Sequence, residues 1–305
     1  MLTILPRPVL ALAAVVFALA GSQAAEAACG AGAPGRTERV EIGDTGRSLL
    51  LHRPAAQDGS TPLPLVILLH GSTMTGAQML SATTLEATAE AKGFIVAAPD
   101  AGIPAGPGFV WNIPGVPTVT GKVPGPEDAD DVAYLGAVID DLVARQCIDR
   151  ARVYVTGLSG GGRMASWLGC VTPERFAAIA PVVGLRAGNP DPDDASRPDP
   201  KTCTPSLPVP VMAFAGDADR TNPIQGGGLP YWSYSMHAAE QRWAQLNGCT
   251  AAPTATWIAD GVYEERHGGC TGDAEVIGRI TVGGGHVWLA DEAAMWAFFS
   301  SRTRS

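Results

Sequence analysis

Residues 63–69 read LPLVILL, seven consecutive positions without a single charged or polar side chain. A strand with one wet face alternates apolar and polar residues, whereas a continuous apolar run belongs to a strand covered on both faces. Such strands occur in parallel sheets, whose crossover connections lay helices over each side. Around this run, short β-rich segments alternate with helical patterns. Residues 37–42 and 47–52 read as an antiparallel pair joined at Gly43-Asp44. Further strands are expected at 94–98, 153–155, 176–183, 209–215, 255–258 and 276–282. Helices are expected at 78–92, 130–145, 160–169, 233–246 and 292–300. Two Pro/Gly-rich stretches, 101–125 and 186–205, read as long loops of the kind that form functional rims. The expected class is α/β, with a mostly parallel central sheet and helices on both faces, in one domain over residues 28–305.

Composition removes several alternatives. Of 305 residues, 46% are hydrophobic and 17% charged, which excludes a disordered chain. The net charge is −9 and no Lys/Arg run interrupts it, so neither nucleic acid nor an anionic membrane surface is an expected partner. Residues 1–27 read as a signal peptide: Arg7 in the first segment, an apolar run from Val9 to about Gly21, then Ala25-Glu26-Ala27 with cleavage before Ala28. The apolar run is short of the roughly 20 residues that cross a bilayer. Cys29 lies near the cleavage point, but Glu26 stands where lipoprotein sites carry an aliphatic residue. The mature chain is therefore expected to be secreted or periplasmic, with no membrane contact after cleavage. Six Cys, an even number, fit three bridges in an oxidising compartment.

The chemistry centres on Gly157-Leu158-Ser159-Gly160-Gly161, a G-x-S-x-G between a strand and a helix. A nucleophile on so tight a turn needs small neighbours, and the new helix directs backbone N–H groups at a developing oxyanion. Of five histidines, His286 follows Gly283-Gly284-Gly285 after the last strand and is the candidate base. His52 and His237 read as structural, and His267 is a weaker competitor. His70 starts the turn His70-Gly71-Ser72, where a histidine organises the turn and the Ser72 N–H faces the oxyanion site. Two carboxylates, Asp217 and Asp219, share the loop after strand 209–215; Asp219 is the preferred partner for the base, and Asp217 is read as a turn former. Asp130 and Asp131 read as a charge pair at a helix N-terminus.

The order Ser159, Asp219, His286 is that of the α/β-hydrolase fold. The chain resembles the secreted polyhydroxybutyrate depolymerase and feruloyl/acetylxylan esterase group, carbohydrate esterase family one. The likeness rests on LPLVILLHGS at 63–72, Trp111-Asn112, DDVAYL at 130–135, VYVTGLSGGGRMA at 153–165, RFAAIAPVVG at 175–184, GDADRTNP at 216–223, RWAQLNGC at 242–249 and GGGHVW at 283–288. It implies Ser159 as nucleophile, His286 as base, Asp219 as its partner, and the N–H groups of Ser72 and Gly160 as the oxyanion hole. Gly160 stands where relatives often carry Asn, Arg163 where they often carry Met, and Ala215 where His is common. Trp111 and Trp288 are candidate substrate walls.

The expected activity is that of a serine esterase working through an acyl-enzyme on hydroxyalkanoate oligomers, polyester or short-chain esters. A feruloyl or acetylxylan esterase is the alternative, and a non-catalytic binding protein on the same scaffold the rival from another class. No polymer-binding module is recognised in the sequence, so weak attack on crystalline polyester is expected. No cofactor is expected. No metal motif is present: there is no H-E-x-x-H, no paired Cys-x-x-Cys and no EF-hand loop. The expected disulfides are Cys249–Cys270, Cys170–Cys203 and, by elimination, Cys29–Cys147. Six cysteines allow 15 pairings, so spacing alone does not decide among them.

Overall fold

The computed structural model describes residues 1–3 and 33–304. The expected signal peptide beyond residue 3, its cleavage site and Cys29 lie outside the described residues. The chain opens with β1 (Arg36–Glu41), β2 (Ser48–Arg53), β3 (Leu63–Leu69), α1 (Gly76–Ser81), α2 (Leu85–Lys92) and β4 (Ile95–Pro99). It continues through β5 (Ile103–Ala105), β6 (Gly108–Val110), α3 (Asp131–Arg145), β7 (Ile148–Leu158), α4 (Gly160–Val171), β8 (Ala178–Val182) and β9 (Val211–Gly216). The last elements are α5 (Met236–Leu246), β10 (Thr254–Ala259), β11 (Val262–His267), β12 (Val276–Thr281) and α6 (Glu292–Ser300).

Ten strands form one sheet in the order β1-β2-β4-β3-β7-β8-β9-β12-β11-β10. The six central strands, β4 to β12, run parallel, and an antiparallel hairpin extends each edge. Strand periodicity divides the core. Leu65, Ile67 and Leu69 pack with α3, α4 and α5 on one face, while Val66 and Leu68 pack with α1, α2 and α6 on the other. Both clusters are buried, which is why the run 63–69 is apolar at every position. This is an α/β-hydrolase fold. Its parallel strands all end on one edge, where sheets of this type place their ligands.

Four readings of local structure are corrected. The helix expected over 78–92 is two helices, with Thr75 capping α1 and Ala82 ending it. The short strand at 153–155 is eleven residues long, because its polar start is satisfied by Arg152–Asp149 and Arg150–Asp140 ion pairs. The loop 101–125 contains the β5–β6 hairpin. β11, VYEERH, carries no apolar alternation, yet its charges pair across the ladder: Glu264 with Arg279 of β12, and Arg266 with Glu275.

Disulfides join Cys170 to Cys203 and Cys249 to Cys270. Cys147 is disulfide-bonded, and the partner expected for it, Cys29, lies outside the described residues. The Cys170–Cys203 bridge ties the end of α4 to the loop that precedes β9. Replacing both cysteines by Ser should lower stability by about 3–4 kcal/mol, the loop-entropy value for this separation. Urea unfolding of the purified double variant reads this directly, and an unchanged midpoint would reject it. Among the described residues, no helix is long and apolar enough to cross a membrane.

Candidate active site

Ser159 occupies the turn between β7 and α4 with φ 53° and ψ −109°. A non-glycine residue at positive φ is strained, and the surroundings must hold it there. They do so by close packing: a Cβ on Gly157 would stand 2.6 Å from the Gly161 carbonyl carbon, and one on Gly161 would collide with the Leu69 carbonyl of β3. The Ser159 N–H donates to the Val182 carbonyl at 2.9 Å, which fixes the turn to β8. The Ser159 side chain makes no helix cap. Its hydroxyl instead lies 2.8 Å from His286 Nε2.

His286 Nδ1 lies 2.7 Å from Asp219 Oδ2. The other carboxylate oxygen, Oδ1, accepts from the N–H groups of Thr221 at 2.8 Å and Asn222 at 2.9 Å. Burial would raise the Asp219 carboxyl, but the hydrogen bonds from His286, Asn222 and Thr221 outweigh it and hold the group below its ordinary value. Asp219 therefore stays ionised, so the imidazole donates through Nδ1 and offers its Nε2 lone pair to Ser159. Asp217 plays a different part. Its Oδ1 accepts from the Gly283 N–H at 2.6 Å, and the neighbouring Ala218 N–H donates to the Gly284 carbonyl at 3.0 Å. The acid loop and the histidine loop are thus laced together. Asn222 completes the arrangement by donating through Nδ2 to the Val183 carbonyl at 2.6 Å.

Ser72 lies beside Gly160. A Cβ on Gly160 would stand 2.5 Å from Ser72 Oγ and 3.1 Å from Ser72 N, so a side chain here meets Ser72. Gly160 opens α4, and its N–H has no intrahelical acceptor. The turn carrying Ser72 is braced from two sides. The β5–β6 hairpin takes the Thr73 N–H on the Phe109 carbonyl at 2.8 Å and returns the Phe109 N–H to the Met74 carbonyl at 3.0 Å. His70, fully buried, accepts the Ala101 N–H at Nε2 (2.9 Å), which leaves Nδ1–H to donate to the Gly71 carbonyl at 2.8 Å. Burial lowers its pKa, in keeping with a neutral ring.

Trp111, expected as a substrate wall, is 3% exposed, and its indole donates to the His70 carbonyl at 2.8 Å. It supports the Ser72 turn from beneath. Trp288 is half-buried, and its indole donates to Glu292 at 3.0 Å. Asp131 is the first residue of α3, as expected, but it does more than charge the helix end. It is buried at 1% exposure, receives Arg47, Gly102 N–H and Asn112 N–H, and so anchors the loop that carries the hairpin; Asp130 is the cap. Next to α4, Ile113, Val116, Trp167 and Tyr231 line a narrow cavity with Arg163 and Arg186. Burial lowers Arg163 to about 10 and Arg186 to about 9, and both stack on rings, Arg163 on Tyr231 and Arg186 on Trp232. His52 is buried on β2 beside Thr37, and His237 bonds Glu265 on the far side of the sheet order. His267 ends β11. Of the five histidines, His286 is the one bonded to Ser159.

Residues 48–198 match the family profile described as esterase PHB depolymerase. That stretch, just under half of the chain, is similar to the esterase PHB depolymerases. The matched stretch holds Ser72, Ser159 and Gly160, and the sequence beyond it supplies Asp219 and His286. Feruloyl esterase B of Piromyces equi is 29% identical over 258 residues, covering 83% of this chain and 44% of that protein. Poly(3-hydroxyalkanoate) depolymerase C of Paucimonas lemoignei is 28% identical over 186 residues, covering 60% of this chain and 39% of that protein. The chain thus spans less than half the length of these curated relatives. Among solved structures, the acetyl xylan esterase from Aspergillus awamori superposes with a TM-score of 0.61 at 17% identity, over 87% of this chain and 99% of that one, which is a likeness of fold.

Proposed function

We propose that this chain is a serine carboxylic ester hydrolase that works through an acyl-enzyme. The observation that carries the reading is the unbroken line of hydrogen bonds from Ser159 through His286 to Asp219. His286 Nε2 takes the Ser159 proton as Oγ attacks the ester carbonyl, and the carbonyl oxygen becomes an oxyanion between the Ser72 and Gly160 N–H groups. Collapse of the tetrahedral species expels the alcohol, which receives the proton from the imidazolium. A water then repeats the sequence on the acyl-enzyme and frees the acid and Ser159. Asp219 holds the imidazole in the Nδ1–H tautomer throughout.

The substrates proposed are hydroxyalkanoate oligomers, polyester and short-chain esters, as the family profile and the depolymerase relative suggest. A second reading, a feruloyl esterase, is favoured by the long alignment to feruloyl esterase B. Residues 1–27 are proposed to direct export, in keeping with the disulfides. A fluorophosphonate probe tests the mechanism: it should label Ser159 and abolish hydrolysis. Absence of labelling on folded protein would sink it. Rates on hydroxybutyrate oligomers and methyl ferulate then decide between the two substrate classes.

Asp217→Ala should loosen the Gly283–Gly285 loop without touching reacting atoms. We expect kcat to fall by up to about 100-fold with KM little changed, the effect of a base displaced by a fraction of an ångström. Steady-state kinetics on a soluble ester would reject this role if kcat stayed at the parent value.

A further inference from the structure

Away from Ser159, α5 and β11 bring an imidazole and two carboxylates together in an arrangement that the ester chemistry does not use. His237 and Glu240 lie three residues apart on α5, so both project from one helix face. Glu265 comes from β11 and places Oε2 2.8 Å from His237 Nδ1. Glu240 Oε2 lies 3.4 Å from the same nitrogen, and the three ligand atoms all fall within 4.8 Å of one another.

Glu240 is 1% exposed, and neither of its oxygens has a hydrogen-bond partner. A buried carboxylate without hydrogen bonds is costly unless a cation reaches it, and without a metal the charge nearest to it is the His237 imidazole at 3.4 Å. The sheet makes room for the carboxylate. Gly278 of β12 pairs directly with Glu265, and a Cβ at that glycine would collide with Glu240 Oε1. The missing side chain leaves a slot that the Glu240 carboxylate fills. One side of the cluster opens to a cleft also lined by Gln241, Thr254 and His267, which gives an ion and its waters a way in.

We propose that His237, Glu240 and Glu265 form a binding site for a divalent transition-metal cation of the zinc type. Tetrahedral coordination at about 2.0–2.2 Å separates neighbouring ligand atoms by about 3.3 Å. The 2.8 and 3.4 Å spacings around His237 Nδ1 bracket that distance. One imidazole nitrogen with two carboxylates suits zinc and its neighbours, whereas calcium and magnesium take oxygen-only shells. The charges also close: with a neutral imidazole, two carboxylates match one dication. A cation here joins α5 to the edge hairpin β10–β11. The three residues come from two elements separated in the chain by β10, so no linear motif announces them.

The test uses purified, untagged protein stripped with EDTA and titrated with Zn²⁺ at about pH 8, where the ligands can shed protons. Calorimetry and elemental analysis should give one zinc per chain. His237→Ala and Glu265→Gln, both at partly exposed positions, should each weaken binding at least tenfold, about the loss seen for even indirect metal partners. Circular dichroism confirms that each variant is folded before titration. Absence of zinc binding, or equal affinity in parent and both variants, overturns the site. X-ray absorption at the zinc edge should show a nitrogen/oxygen shell, and a sulfur shell would equally refute it.

Discussion

Ser159→Ala should reduce kcat by on the order of 10⁶, to the level left by the oxyanion donors and substrate binding alone. The fold should survive intact, because the Ser159 hydroxyl bonds His286 and caps nothing in α4. Alanine also keeps the burden of φ 53° where it was, so the turn stays under the same packing restraint. The measurement is a single-turnover and steady-state comparison on one soluble ester, with circular dichroism as the control. A folded variant retaining even a hundredth of the parent rate would displace Ser159 from the chemistry.

Asp219→Asn is the more discriminating change, with an expected loss of about 10⁴ in kcat from a nearly isosteric substitution. The reason lies in the two oxygens. Thr221 and Asn222 both donate N–H groups to Oδ1, so the carboxamide oxygen of the variant remains on that side. Its NH₂ then faces His286 Nδ1 and donates to it. The imidazole must carry its proton on Nε2, where it can no longer receive one from Ser159. Activity within tenfold of the parent would mean that Asp219 does not set the tautomer.

Much of this geometry is legible in the chain, and the illegible parts have identifiable causes. Ser159 declares itself because close packing requires glycines at 157, 160 and 161, all within five residues. His286 is marked by the three glycines before it. Asp217 and Asp219 both follow β9, and the local sign that favours Asp219 is the turn Thr221-Asn222-Pro223 behind it; what separates them in space is which loop their oxygens meet, Gly283 in one case and His286 in the other. Asp131 is legible only in part: it does open α3, but its anchoring role is not visible locally. Beside Asp130 it looks like helix-end charge, yet its partners Arg47, Gly102 and Asn112 arrive from up to 84 residues away. β11 is hidden because periodicity reads apolar burial, and this strand is held by ion pairs to its neighbours. Trp111 is a tryptophan in a loop beside the site, and its sequence neighbours do not reveal that its indole turns inward to His70.

The lacing of the acid loop to the histidine loop has a consequence for anyone who rebuilds this fold. Gly216 and Gly284 are in backbone contact, Asp217 holds Gly283, and Ala218 holds Gly284. Asp219 and His286 are therefore parts of one module, tied to the Ser159 turn on β3, β7 and β8 through the Asn222–Val183 hydrogen bond. In recombination between relatives, a transplanted histidine loop has to travel with its own acid loop. Crossover points that cut between residues 219 and 283 split a single mechanical unit, and library designs should place their seams elsewhere.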